Sequence, residues 1–386
     1  MVETPQKPVF QQPEPAPASY TPAARAHAVS AYSPPRGRPV VDMPESPALK
    51  LDANEGPAPA GMVLEWLAQR GPELVRRYPS VRALEVYLAD RLGIEPERVV
   101  VTAGADDALA RFASAALEPG REAVLADPTF EMIPRYVRLA GGHAVTVPWR
   151  RGPLPVEGYL DAMSAHTGCA YVVTPNNPTG TNATTDDVLR VVDGAHDRGR
   201  IPVAVDLAYT EFAGDDPTDA VLERSNAVVM RTLSKAWGLA GLRVGYAAGP
   251  PELIGWLRRV GQAYAVSSVS AAIALDWLQA GEQRVFESAA RVKAERAGLT
   301  ALCEELGASV TPSEANFVLA DWGACEAAWA LADALADRGI AVRRFPEEGS
   351  LASALRITCP GDVASAERLF GALRESSVAL AKGAAR

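Results

Sequence analysis

With 386 residues, of which 48% are hydrophobic and 22% charged, the chain can bury a large core and exceeds one minimal domain, so two domains are expected. Its 38 Lys and Arg against 47 Asp and Glu leave a formal charge of −9, which argues against the clustered positive field that nucleic-acid binding requires. No run approaches the roughly 18 consecutive apolar residues of a membrane-spanning helix, and the N-terminus has no basic-then-apolar signal, so a cytoplasmic protein is expected.

Residues 1–25 are dominated by Pro, Ala, Gln and Glu and cannot offset the entropy of ordering, which predicts a disordered tail. Residues 26–49 remain Pro-rich but gain Tyr32 and the pair Val40-Val41, as suits an extended arm lying on a folded body or a partner subunit. The body, residues 50–262, alternates two patterns. Apolar residues at helical spacing mark 61–69 and 81–92, and short apolar runs closed by turn residues mark strands at 98–102, 122–126, 143–147 and 170–174. Further strands are expected at 201–205, 227–230 and 243–247, so the reading is α/β, a mainly parallel sheet flanked by helices. Such sheets place their sites beyond the strand C-termini. From 263 to 386 the texture changes to long Ala/Leu/Glu/Arg helices (270–306, 324–337) with short strands at 316–320, 340–344 and 354–358, which predicts a smaller α+β domain. Four scattered cysteines and four histidines match neither a disulfide framework nor a metal site.

The most informative segment is Thr232-Leu233-Ser234-Lys235, followed eight residues after the lysine by Arg243. A lysine in a strand-to-helix loop can form an imine with a carbonyl while nearby hydroxyls and an arginine hold a phosphate, although alone the segment also suits a solvated helix start. Asp206 closes the apolar strand before it, with Tyr209 three residues on. A carboxylate there can pair with a protonated ring nitrogen and the phenol can bond a ring oxygen; a plain helix cap is the other reading. Thr174-Pro175-Asn176-Asn177-Pro178-Thr179-Gly180 is a stiff loop able to aim an amide, or an ordinary turn. Thr102-Ala103-Gly104-Ala105-Asp106-Asp107 leads from a strand into a helix whose free N–H groups can face an anion.

Together these segments resemble the fold-type I pyridoxal phosphate enzymes, specifically class I/II aminotransferases of the histidinol-phosphate aminotransferase type. The resemblance runs from about Tyr32 to Thr358 and its elements arrive in family order. They include Leu51-Asp52-Ala53-Asn54-Glu55, Arg77-Tyr78-Pro79, Asp127-Pro128-Thr129-Phe130, the Asn-Asn-Pro-Thr-Gly run, Ala315-Asn316-Phe317 and Leu355-Arg356-Ile357-Thr358. It implies pyridoxal 5'-phosphate as cofactor, with Lys235 forming the internal aldimine and shuttling the substrate α-proton. Asp206 would partner the pyridinium, Tyr209 and Asn177 would bind the ring 3-oxygen, and Phe130 would stack on the ring where the family usually has tyrosine. Thr232, Ser234, Arg243 and the N–H groups of Ala105 and Asp106 would hold the phosphate. Tyr78 resembles the residue that reaches the neighbouring site, which implies a homodimer. Arg356 would grip a substrate carboxylate, with Asn54, Tyr32 and Arg343 as further substrate-side residues.

The activity implied is transamination between an amino acid donor, glutamate, and a keto or aldehyde acceptor; decarboxylation or elimination on the same fold is the alternative. Leu207, Ala263-Tyr264 and Cys359-Pro360-Gly361 depart from the family's usual residues near the substrate side or domain joint, so the resemblance does not by itself imply its side-chain specificity. A non-catalytic dimer conflicts with the retained Lys235 and Asp206, and no Gly-x-Gly-x-x-Gly follows a strand to support a dehydrogenase.

Overall fold

The computed structural model describes residues 24–32, 48–57 and 62–384. The expected tail therefore lies outside the described residues except for its last two, as does most of the arm. What is described of the arm opens on a helical turn, Ala24–His27, rather than on extended chain, and Arg135 anchors the segment by donating to the Ser30 carbonyl at 2.5 Å.

Seven strands form the central sheet, in the order Val99–Thr102, Gly245–Ala248, Ala227–Thr232, Val203–Asp206, Thr167–Val173, Glu122–Asp127 and His143–Pro148. All neighbours are parallel except Gly245–Ala248, which runs antiparallel to both of its own. Runs of valine and alanine suit this position because both faces of the sheet are covered. Tyr171, Ala204, Val228 and Met230 pack into a layer with Leu109 and Phe112 of helix Ala105–Ala116, Ile133 of Met132–Leu139 and Ile254 of Pro251–Val260. The alternate residues Val172, Val205 and Val229 enter the opposite layer, with Val188 and Val192 of helix Thr185–Asp197 and Leu84 and Leu88 of Arg82–Arg91.

A second sheet has five strands, in the order Leu49–Leu51, Ile340–Arg344, Ala354–Thr358, Phe317–Asp321 and Ser309–Thr311. Its first pair is parallel and the rest antiparallel. Leu49–Leu51, at the junction of the expected arm and large domain, thus pairs with strand residues from the other end of the chain.

Two elements differ from the sequence reading for local reasons. The helix expected over 270–306 is two helices, Ser268–Ala280 and Glu282–Glu305, divided at Gly281. Glycine is a poor helix former, and a Cβ there would lie 2.7 Å from the Trp277 carbonyl oxygen and 3.0 Å from its ring. The strand expected from 243 begins at Gly245 because Arg243 is left-handed, with φ of 53°.

Candidate active site

Five strands of the central sheet end around one cavity of about 270 Å³, closed by residues of the second sheet. Every sequence-predicted site residue except Tyr78 lines it. Tyr78 is 81% exposed and instead stacks on Tyr264, ring centres 4.7 Å apart.

At one side the strand Val99–Thr102 passes through Gly104 into helix Ala105–Ala116. Gly104 has φ of 81°, and a Cβ there would meet the Arg243 guanidinium at 2.6 Å, so the turn requires glycine. First-turn N–H groups of a helix have no partner within it and favour an anion. Facing them, the Thr232 hydroxyl donates to Ser234 Oγ at 2.9 Å and Arg243 donates to the same oxygen at 3.3 Å. Arg243 also pairs with Asp106 at 3.1 Å. Two hydroxyls, a guanidinium and a helix N-terminus therefore converge on a space suited to a phosphate.

Asp206 ends its strand only 4% exposed, and among the described residues its carboxylate accepts one hydrogen bond, from the Ala208 N–H at 3.1 Å. Burial pushes its carboxyl up to about 7, with Asp106 adding to the rise and Lys235 opposing it. A buried carboxylate without a bonded cation is costly unless a ligand brings one. Lys235 Nζ donates to the Ala53 carbonyl at 3.0 Å and lies 5.8 Å from the Tyr209 ring centre. Burial, then Arg356, lowers its ammonium to about 8, so a usable fraction is free amine near neutrality. Tyr209 accepts from Asn54 Nδ2 at 3.1 Å and packs edge-on against Phe317; burial raises its phenol to about 12.

Arg356 is 8% exposed, donating to Asn177 Oδ1 at 2.5 Å and to the Asp52 carbonyl at 2.8 Å. Among the described residues its Nε has no hydrogen-bond partner, and burial brings the guanidinium down to about 10. An unsatisfied buried guanidinium without a carboxylate is a ready receptor for one. Asn54, left-handed at φ 54°, is held by Thr358, which accepts from its N–H at 3.2 Å and donates to Leu51 O, and by Asn316, which donates to its carbonyl at 3.2 Å. Asn176 braces the loop of Phe130, donating to the Pro128 carbonyl at 2.9 Å.

Sequence reasoning missed Glu131, Asp52 and Gly56. Glu131 directly follows the Asp127-Pro128-Thr129-Phe130 run and accepts from both Tyr32 and Arg343. Gly56 approaches the lysine loop so closely that a Cβ would sit 1.8 Å from the Lys235 carbonyl oxygen. Gly56→Ala is expected to cost about 3 kcal/mol, because two backbone segments must separate. Thermal unfolding of the cofactor-bound protein checks this, and an unchanged midpoint would refute the contact.

A phosphate pocket, an amine of lowered basicity and a buried carboxylate lacking a cation are the receptors a phosphorylated pyridine aldehyde needs, so the residues fit pyridoxal phosphate. Residues 48–373 match the family model for aminotransferase class I and II. The chain is 37% identical over 319 residues to an aromatic amino acid aminotransferase of Corynebacterium efficiens, covering 78% of this chain and 87% of that one. It is equally 37% identical over 320 residues to a histidinol-phosphate aminotransferase of Roseiflexus castenholzii, covering 80% and 84%. Among solved structures it is similar to the histidinol-phosphate aminotransferase of Sinorhizobium meliloti in complex with pyridoxal 5'-phosphate. The TM-score is 0.78 at 28% identity, over 86% of this chain and 92% of that one. The chain belongs to the class I and II aminotransferases, pyridoxal phosphate-dependent enzymes of fold type I.

Proposed function

We propose that this aminotransferase moves an amino group from an amino acid donor, glutamate, to a keto or aldehyde acceptor, with Lys235 as its proton carrier. The observation that carries this reading is the cavity shared by Lys235, Asp206, whose carboxylate has no cation bonded to it among the described residues, and Arg356, whose Nε has no described hydrogen-bond partner. Bound there, the cofactor supplies a conjugated ring that stabilises negative charge at the substrate α-carbon. Thr232, Ser234, Arg243 and the N–H groups of Ala105 and Asp106 hold the phosphate. With the cofactor bound, Asp206 would hold a proton at its ring nitrogen by charge pairing, while Tyr209, Asn177 and Phe130 are the side chains that would orient the ring. Arg356 fixes the substrate carboxylate, which sets the α-hydrogen toward a base. Lys235 Nζ, as a free amine, would take the substrate α-proton and hold it for return.

Tyr78 is assigned in the same reading to the neighbouring subunit's phosphate. Its 81% exposure, together with exposed Tyr264 and Val75, supports a homodimer interface. No described helix is long and apolar enough to cross a membrane.

The test is the absorbance of the cofactor-bound protein. An amino acid donor alone is expected to convert the visible band to a shorter-wavelength one, and a keto acid to restore it. A band that shifts on binding but never converts would transfer the reading to decarboxylation or elimination.

A further inference from the structure

Arg343 and Arg356 are direct cross-strand partners in the second sheet, two guanidinium groups on one face of adjacent antiparallel strands. Like charges so placed repel, and Arg343 contributes to the lowered basicity of Arg356. Glu131 relieves the conflict. One of its oxygens, Oε1, accepts from Arg343 at 2.7 Å and from the Tyr32 phenol at 2.9 Å. Arg343 is nearly buried and its Nε has no hydrogen-bond partner among the described residues, whereas the Glu131 side chain is 44% exposed. Arg344, next in sequence, is engaged elsewhere, paired with Asp333 at 3.2 Å and lying over Trp329. The described part of the cavity thus offers a substrate side chain one further guanidinium, already neutralised, beside the rings of Tyr32, Phe130 and Phe345.

We propose that Glu131 is a specificity-determining residue, a resident counter-ion that keeps Arg343 occupied and favours amino acids with uncharged, aromatic side chains over acidic or phosphorylated ones. An uncharged side chain enters without disturbing the pair and gains the aromatic lining. A carboxylate or phosphate must displace Glu131 from Arg343 or sit beside its negative charge, and the exposure of Glu131 gives the displaced carboxylate a route to water. Glutamate therefore serves as donor only by taking Glu131's place. This inference rests on the aminotransferase reading for its substrates, while its charge logic concerns ligand binding alone.

The test compares the cofactor-bound wild type with Glu131→Gln, titrated calorimetrically with glutarate and with 3-phenylpropionate, which place a carboxylate and a ring at the distal position. Glu131→Gln is expected to tighten glutarate about tenfold relative to 3-phenylpropionate, because the guanidinium charge is uncovered in a partly screened site. Adding Arg343→Leu should erase that gain. A ratio unmoved by Glu131→Gln, or both ligands weakened alike, would overturn the inference and leave Glu131 as an anchor for the arm. Should no amino acid convert the cofactor band of the wild type, the aminotransferase reading fails, yet the binding ratio still decides the role of Glu131.

Discussion

Lys235→Ala is expected to lower turnover by about a thousandfold or more and to remove the visible band of covalently held cofactor. The size follows from Lys235 being the one amine in the described lining: Arg243 and Arg356 stay charged and cannot replace it, and that lining holds no histidine. The fold should survive, since the Nζ makes one hydrogen bond, to Ala53. Proton linkage sharpens this. The folded-state amine sits near 8 against an ordinary 10.5, so between those values the unfolded chain binds a proton that the folded chain has released. Stability of the cofactor-free wild type therefore rises with pH through that window, and below it the charged amine is a burden. The cofactor-free variant should melt no lower than wild type at pH 7, the difference shrinking toward pH 10. Thermal unfolding across pH, with the visible spectrum, checks both parts; retained band and turnover would remove Lys235 from its assigned role.

Much of this site was readable because its residues follow the strands that hold them. Asp206 closes Val203–Asp206, Asn177 and Lys235 lie a few residues past Thr167–Val173 and Ala227–Thr232, and unbroken valine runs mark strands buried on both faces. Partners distant in sequence were not readable. Nothing local in Leu49–Leu51 states that it pairs with Ile340–Val342, yet that register puts Asp52 and Asn54 against Arg356 and Thr358. Glu131 reads as an ordinary residue before a helix until the fold brings Arg343 and Tyr32 to it. Gly56 reads as loop flexibility, whereas its role is the absence of a side chain against Lys235. The left-handed Arg243 shortened an expected strand for a similar reason: its conformation answers to the Ser234 and Asp106 contacts, not to the apolar run that follows it.

Asp206→Asn is expected to slow turnover by about a hundredfold or more while still admitting the cofactor, because a neutral amide cannot stabilise a protonated ring nitrogen and the ring becomes a poorer electron sink. The same carboxylate predicts an effect on stability that catalysis does not enter. Its folded-state value lies near 7 against an ordinary 3.8, so between these the folded protein keeps a proton that the unfolded chain has lost. The Asp206 contribution to the stability of cofactor-free wild type should therefore fall as pH rises through that window, by up to about 1.4 kcal/mol per pH unit, and level off above it. The amide of the Asp206→Asn variant does not titrate, so this part of the slope should vanish. A ring cation bound against the carboxylate reverses the cost, which makes cofactor-induced stabilisation at pH 8 larger in wild type than in the variant. Melting curves with and without cofactor at pH 5 and pH 8, alongside turnover, measure both predictions. Equal stabilisation of the two proteins at pH 8, or an Asp206→Asn enzyme as fast as wild type, would mean that the buried carboxylate serves the loop at Ala208 and not the cofactor.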